Sequence, residues 1–171
     1  MQNHFELFHL PQRFTVDLAV LEKAYHEVQN QTHPDKFTQA PGAERRVAMQ
    51  WATRANEAYK TLKNPFRRAA YLCELHGVDL QTESNTAMPR EFLMQQMEWR
   101  EELDDAKAAK NLDALETLQQ TVRAARQTEI AGTGELLDAG NYDAAALNVR
   151  KLMFLEKFTA EIGDVFTLIE A

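Results

Sequence analysis

His33, Pro34 and Asp35 stand in immediate succession within "NQTHPDKFTQAPG", residues 30–42. An imidazole, a rigid ring and a carboxylate at that spacing admit three readings. With a nucleophile nearby, His33 and Asp35 would be the base and orienter of a catalytic pair. Held in solvent by two packed helices, they would form a recognition tip, with Asp35 pairing a partner's arginine and His33 donating hydrogen bonds. Otherwise Pro34 is a helix stop and its neighbours are incidental. The catalytic reading finds least support, because no Ser or Cys sits in a recognisable elbow and no glycine-rich phosphate loop is present.

A second set of candidates lies in "PREFLMQQMEWREELDDAKAAK", residues 89–110. A helix advances roughly 100° per residue, so Trp99, Leu103 and Ala106 fall within about 40° of Phe92 and form one stripe. Leu93, Met97 and Met94 fall about 100°, 140° and 200° away, which one side of a bundle does not bury together with the first stripe. Leu93, Met94 and Met97 are therefore expected at the surface beside Glu98, Arg100, Glu101 and Asp105. An apolar patch rimmed by charge suits a protein partner, and methionines suit an adaptable contact. In the competing reading the last helix wraps round and covers this stripe. Phe154, about a quarter turn off its own helix's apolar face, borders the same patch.

Helical elements must position both sets. "HFELFHL", residues 4–10, predicts a short turn closed by Pro11. Asp17 is a plausible N-cap for a helix with Leu18, Leu21, Tyr25 and Val28 on one face, ending near Thr32 because Pro34 drives His33 out of the α region. Pro41-Gly42 marks another break. Val47, Trp51, Ala55, Ala58/Tyr59 and Leu62 then predict a long helix to Asn64, and Pro65 opens a shorter one closed by Gly77. Residues 1–76 read as one helical unit whose main helices form an antiparallel hairpin around the tripeptide. Residues 77–88 read as a polar linker. Residues 89–171 read as a three-helix bundle, with a kink or break expected at Gly132 and Gly134. No strand signal and no internal repeat is present, so the fold class is all-α.

Composition narrows the function. The 171 residues carry a net charge of -7, with +2 on residues 1–75 and -9 on residues 76–171. This balance argues against sequence-independent nucleic-acid binding, and the split suggests surfaces with different partners. No apolar run approaches the roughly 20 residues of a membrane helix, and the start lacks a secretory signal pattern. Cys73 is the sole cysteine, which leaves no internal disulfide or zinc knuckle and predicts a small buried apolar group. His4, His9, His26 and His76 are scattered without metal-ligand spacing. Neither a metal nor a cofactor is expected, and the setting is expected to be reducing and cytoplasmic.

Residues 3–73 resemble a J domain, the module that activates the ATPase of DnaK-type chaperones. "HFELFHL", "LEKAYHEVQNQTHPDKF" and "ANEAYKTLKNPFRRAAYL" carry the resemblance. It implies that His33, Pro34 and Asp35 contact the chaperone, which performs the chemistry itself. Residue 32 is Thr where an aromatic is common. The helix before the tripeptide has few cations, Lys23 and His26 among them, implying weaker attraction to a general DnaK. Arg45 and Arg46 read as a solvated face, with a secondary chaperone contact as the alternative.

With "FLMQQMEWREELDD" and "VRKLMFLEKF", nearly the whole chain resembles the HscB family of J-type co-chaperones in iron–sulfur cluster assembly, in a bacterial form without the N-terminal cysteine pair of eukaryotic members. The resemblance implies two partners, the specialised chaperone HscA and the cluster scaffold IscU. It maps the scaffold surface onto Leu93, Met94, Met97, Glu98, Arg100, Glu101, Asp105 and Phe154, with Met97 where leucine is frequent and Asp105 where glutamate is. A J protein with another client, and a helical adaptor in which the tripeptide only stops a helix, remain as alternatives.

Overall fold

The computed structural model describes residues 2–80 and 88–171, which are helical apart from short caps and turns. The chain divides into two compact units, residues 1–75 and 76–171.

In the first unit, α1 (His4–Leu7) opens with a capping box. Asn3 Oδ1 accepts from the Glu6 N–H, and the Glu6 carboxylate accepts from the Asn3 N–H. Each would otherwise be an orphaned donor of the helix start. Asp17 caps α2 (Leu18–Thr32) through the N–H groups of Ala19 and Val20, as its sequence position predicts. A 3-10 turn (Pro34–Phe37) leads to α3 (Gly42–Lys63). α4 (Pro65–Leu75) starts on proline, with Asn64 accepting from the Arg67 N–H, and Gly77 follows it at φ +74°. Phe5, Phe8, Leu21, Ala55, Ala58, Leu62, Leu72 and Cys73 form the core.

Three residues assigned to buried stripes lie outside it. Leu18 is 49% exposed, Val47 51% and Trp51 37%. α3 buries Ala55, Ala58 and Leu62 of the expected stripe, with Ala48 and Thr61 beside them, so the stripe is buried along the second half of the helix and Val47 and Trp51 of the first half are left exposed. Too little chain packs against the first half of α3 to cover a wider stripe.

The His4 ring stacks on Tyr71 with centroids 4.3 Å apart, and the His4 backbone N–H donates to the Tyr71 hydroxyl at 2.9 Å. Burial holds the His4 pKa below its ordinary 6.5; Glu57 opposes this, and Arg54 and Arg67 add to it. The unfolded chain therefore binds this proton more readily than the folded one. The His4 contribution to stability is complete above the unfolded value of 6.5 and erodes as pH falls below it. Urea midpoints at about pH 7.5 and about pH 5 should differ more for the native chain than for a His4→Gln variant. Equal differences would remove His4 as the cause.

The second unit contains α5 (Arg90–Ala109), α6 (Leu112–Asp138) and α7 (Tyr142–Glu170). Asn111 and Asn141 cap α6 and α7, and Lys110 and Gly140 terminate the preceding helices at positive φ. Leu115, Leu118, Val122, Leu152, Leu155, Phe158 and Ile162 fill the core. α6 runs through Gly132 and Gly134 without the break expected there. Each glycine costs about 1 kcal/mol against alanine in an isolated helix. Here Gly134 is buried, Ala145 and Ala146 are buried on the adjacent α7, and a Cβ on Gly132 would lie 3.7 Å from Asn148. Packing between closely approaching helices outweighs the propensity.

His76, expected at the end of the first unit, and the start of the expected linker belong to this unit. The His76 and Tyr142 rings stack at 3.6 Å, Arg150 donates to the Asp79 carbonyl at 3.1 Å, and Leu80 is buried. Residues 81–87 of that linker lie outside the described residues.

Candidate functional site

The tripeptide sits where two helix ends meet. His33 leaves α2 at φ -58°, ψ 133°, the extended geometry required of a residue before proline. Pro34 begins the 3-10 turn, closed by a bond from the Lys36 N–H to the His33 carbonyl at 3.0 Å. The His33 side chain is 57% exposed and that of Asp35 87%. Both are available to a partner without any rearrangement of the core.

The ring of His33 has a defined role in this turn. Its Nδ1 accepts the Asp35 backbone N–H at 3.2 Å. An accepting Nδ1 places the proton on Nε2 and leaves that nitrogen as the ring's donor. The Asp35 carboxylate lies 3.5 Å from Nδ1. It forms an ion pair with the ring only when the ring is protonated and the backbone bond is given up. In the neutral state the carboxylate does not orient the imidazole as a catalytic partner would. The arrangement presents a carboxylate and an N–H donor on a turn.

The hairpin that carries the tip is held together farther along its helices. Tyr25 and Tyr59 stack at 4.1 Å across α2 and α3, and the Tyr25 hydroxyl donates to Asn56 at 2.6 Å. Tyr59 donates to Glu22, which also pairs with Lys63 at 3.8 Å. The Tyr59 bond is the main reason the Glu22 carboxyl is held below its ordinary pKa.

On α5, Trp99, Leu103 and Ala106 are buried and Phe92 is half-buried. Leu93, Met94 and Met97 are 45%, 51% and 71% exposed. α7 therefore does not wrap over the second stripe. Glu98, Glu101 and Asp105 are exposed along the same face, which extends about 18 Å from Leu93 to Asp105 at 1.5 Å per residue.

Phe154 reaches this face from α7. Its ring meets Phe92 edge-on at 5.7 Å and stacks on Phe158 at 5.3 Å. The Arg100 guanidinium lies over Phe154 and Phe158, 5.6 and 5.5 Å from their centroids, and donates to Glu161 at 2.9 Å. Arg100 is thus a fixed cation beside an apolar ridge, held by charge and ring faces. The candidate residues of α5 and Phe154 share one surface. Glu161 completes it, with the buried Phe158 ring beneath Arg100, and the Glu161 contact was not identified from sequence, since a pairing 61 positions apart leaves no periodic signal.

An exposed His-Pro-Asp turn on a helical hairpin, in a chain that continues into a three-helix bundle, defines a J domain joined to a second helical domain. Residues 88–163 match the family described as the HSCB C-terminal oligomerisation domain. The chain is 56% identical over 168 residues to a co-chaperone protein HscB homolog of Burkholderia mallei, covering 98% of this chain and 96% of the relative. The solved structure of chaperone HscB from Vibrio cholerae has a TM-score of 0.85 at 37% identity, over 98% of this chain and 99% of that one. The human co-chaperone HscB structure has a TM-score of 0.88 at 27% identity, over 95% of this chain and 81% of that one. The chain belongs to the HscB family of co-chaperones.

Proposed function

We propose that this co-chaperone binds the iron–sulfur scaffold IscU on the α5–α7 face and delivers it to the DnaK-type chaperone HscA, whose ATPase it stimulates through His33, Pro34 and Asp35. The setting is the cytoplasm. The observation that carries the reading is the exposed Leu93, Met94 and Met97 ridge, with Arg100 pinned beside it, in a chain of this family.

The division of labour follows from the chemistry. Asp35 supplies a carboxylate for an arginine of the chaperone, and His33 Nε2 supplies a hydrogen bond. The chain performs no bond-making step. It raises the rate by binding one conformation of the chaperone better than another, and the differential affinity sets the size of the effect. At the other site the apolar ridge supplies most of the affinity, while Glu98, Arg100, Glu101 and Asp105 fix orientation.

The steady-state ATPase rate of HscA should rise on adding this chain and rise further when IscU is also present. A rate unchanged by either addition would refute the reading. Glu161→Gln frees Arg100 without removing it. It should weaken scaffold binding by about threefold, the scale of a partly exposed ion pair, as measured by titration calorimetry. An unaltered affinity would show that Arg100 needs no such anchor.

A further inference from the structure

The first unit contains an apolar groove that the tripeptide and the scaffold face do not account for. Its walls are the second half of α2 and the first half of α3, with Leu7 and Phe8 as its floor and Phe37 of the 3-10 turn at one end, enclosing about 730 Å³. That volume lies within the range of specific binding clefts. Val47 and Trp51, the two α3 residues that fail to join the core, line it and remain 51% and 37% exposed. The apolar side of α3 is therefore left without a cover along this stretch.

Both walls are α-helices, so the groove offers no strand edge to an incoming chain. An occupant engages it through side chains, as a helix laid in a groove does. Residues 43 to 51 of the α3 wall span about 12 Å at 1.5 Å per residue, or roughly two helical turns. The formally charged side chains lining the groove are Glu27 on one wall and Glu44 on the other. Among the described residues neither has an ion-pair partner. An apolar trough with one unpaired carboxylate on each side complements an apolar stripe flanked by cations.

We propose that this groove binds a short amphipathic helix of a protein partner, apolar on the buried side and flanked on both sides by Lys or Arg. The inference rests on the groove alone and stands apart from the chaperone and scaffold readings.

The test uses the full chain and a fluorescein-labelled synthetic helical peptide of about 12 residues, with leucines three and four apart and lysines on both flanks. Anisotropy is read at low ionic strength. The Lys-flanked peptide should bind, and its Glu-flanked counterpart should bind at least tenfold more weakly. Val47→Asp should remove binding, although it adds negative charge, which separates the groove from general attraction to the acidic second unit. Val47 is half exposed, so that variant should keep its fold, checked by circular dichroism. Glu27→Gln with Glu44→Gln should weaken binding about tenfold while leaving the apolar trough intact. The proposal is overturned if the Lys-flanked peptide does not bind, if the Glu-flanked peptide binds equally, or if binding survives Val47→Asp in a folded chain. It is also overturned if sedimentation shows the chain self-associating through this face and Val47→Asp abolishes that association, since the occupant is then a second copy.

Discussion

A His33→Gln variant should lose stimulation of the HscA ATPase while keeping its helical content and melting temperature. His33 is 57% exposed and sits outside the core, so its replacement removes no buried apolar surface. The loss is local. Glutamine supplies a donor, but it lacks the rigid ring whose Nδ1 accepts the Asp35 N–H and holds the carboxylate's backbone in place. A contact at the centre of an interface is worth about 2 kcal/mol or more, which is about thirtyfold in affinity. At chaperone concentrations near the native dissociation constant, stimulation should fall to background. The same variant should bind IscU as the native chain does, because the scaffold face lies on other helices. Stimulation that persists in a folded His33→Gln chain would exclude this turn as the chaperone contact.

The Leu93→Ala/Met97→Ala variant should show the reverse pattern. Leu93 and Met97 are 45% and 71% exposed in the free chain, so truncation opens no cavity there, and a folded protein is expected. Each contributes an apolar anchor to a bound partner, at about 1–2 kcal/mol apiece. Affinity for IscU should fall by at least tenfold, and more if the two contacts act together. ATPase stimulation by the chain alone should be unaffected, whereas the additional stimulation by scaffold should disappear. Circular dichroism melts distinguish this outcome from unfolding. A double variant with native affinity would move the scaffold contact off α5.

The helix boundaries were legible because they rest on local chemistry. Asp17, Pro34, Pro65 and Gly77 each act through their own backbone neighbourhood, and each ends or starts a helix where its type requires. The exposed stripe of α5 was legible for a related reason: a helix has one period, and two apolar sets about 140° apart do not share a buried side. What failed depended on the surroundings. Val47 and Trp51 have the spacing of core residues, but the short α1 leaves the first half of α3 uncovered. Gly132 and Gly134 have the propensity of breakers, but packing against α7 carries the helix through them. The anchoring of Arg100 by Glu161 and two aromatic rings joins residues far apart in sequence, which no periodicity encodes.

The decisive measurement is a calorimetric titration of the native chain with IscU. Saturable binding is expected, weakened by at least an order of magnitude in the Leu93→Ala/Met97→Ala variant. A native chain that produces no binding heat at any temperature tested, and no complex in sedimentation, would contradict it. In that case the chain would be a J-type co-chaperone with a different client.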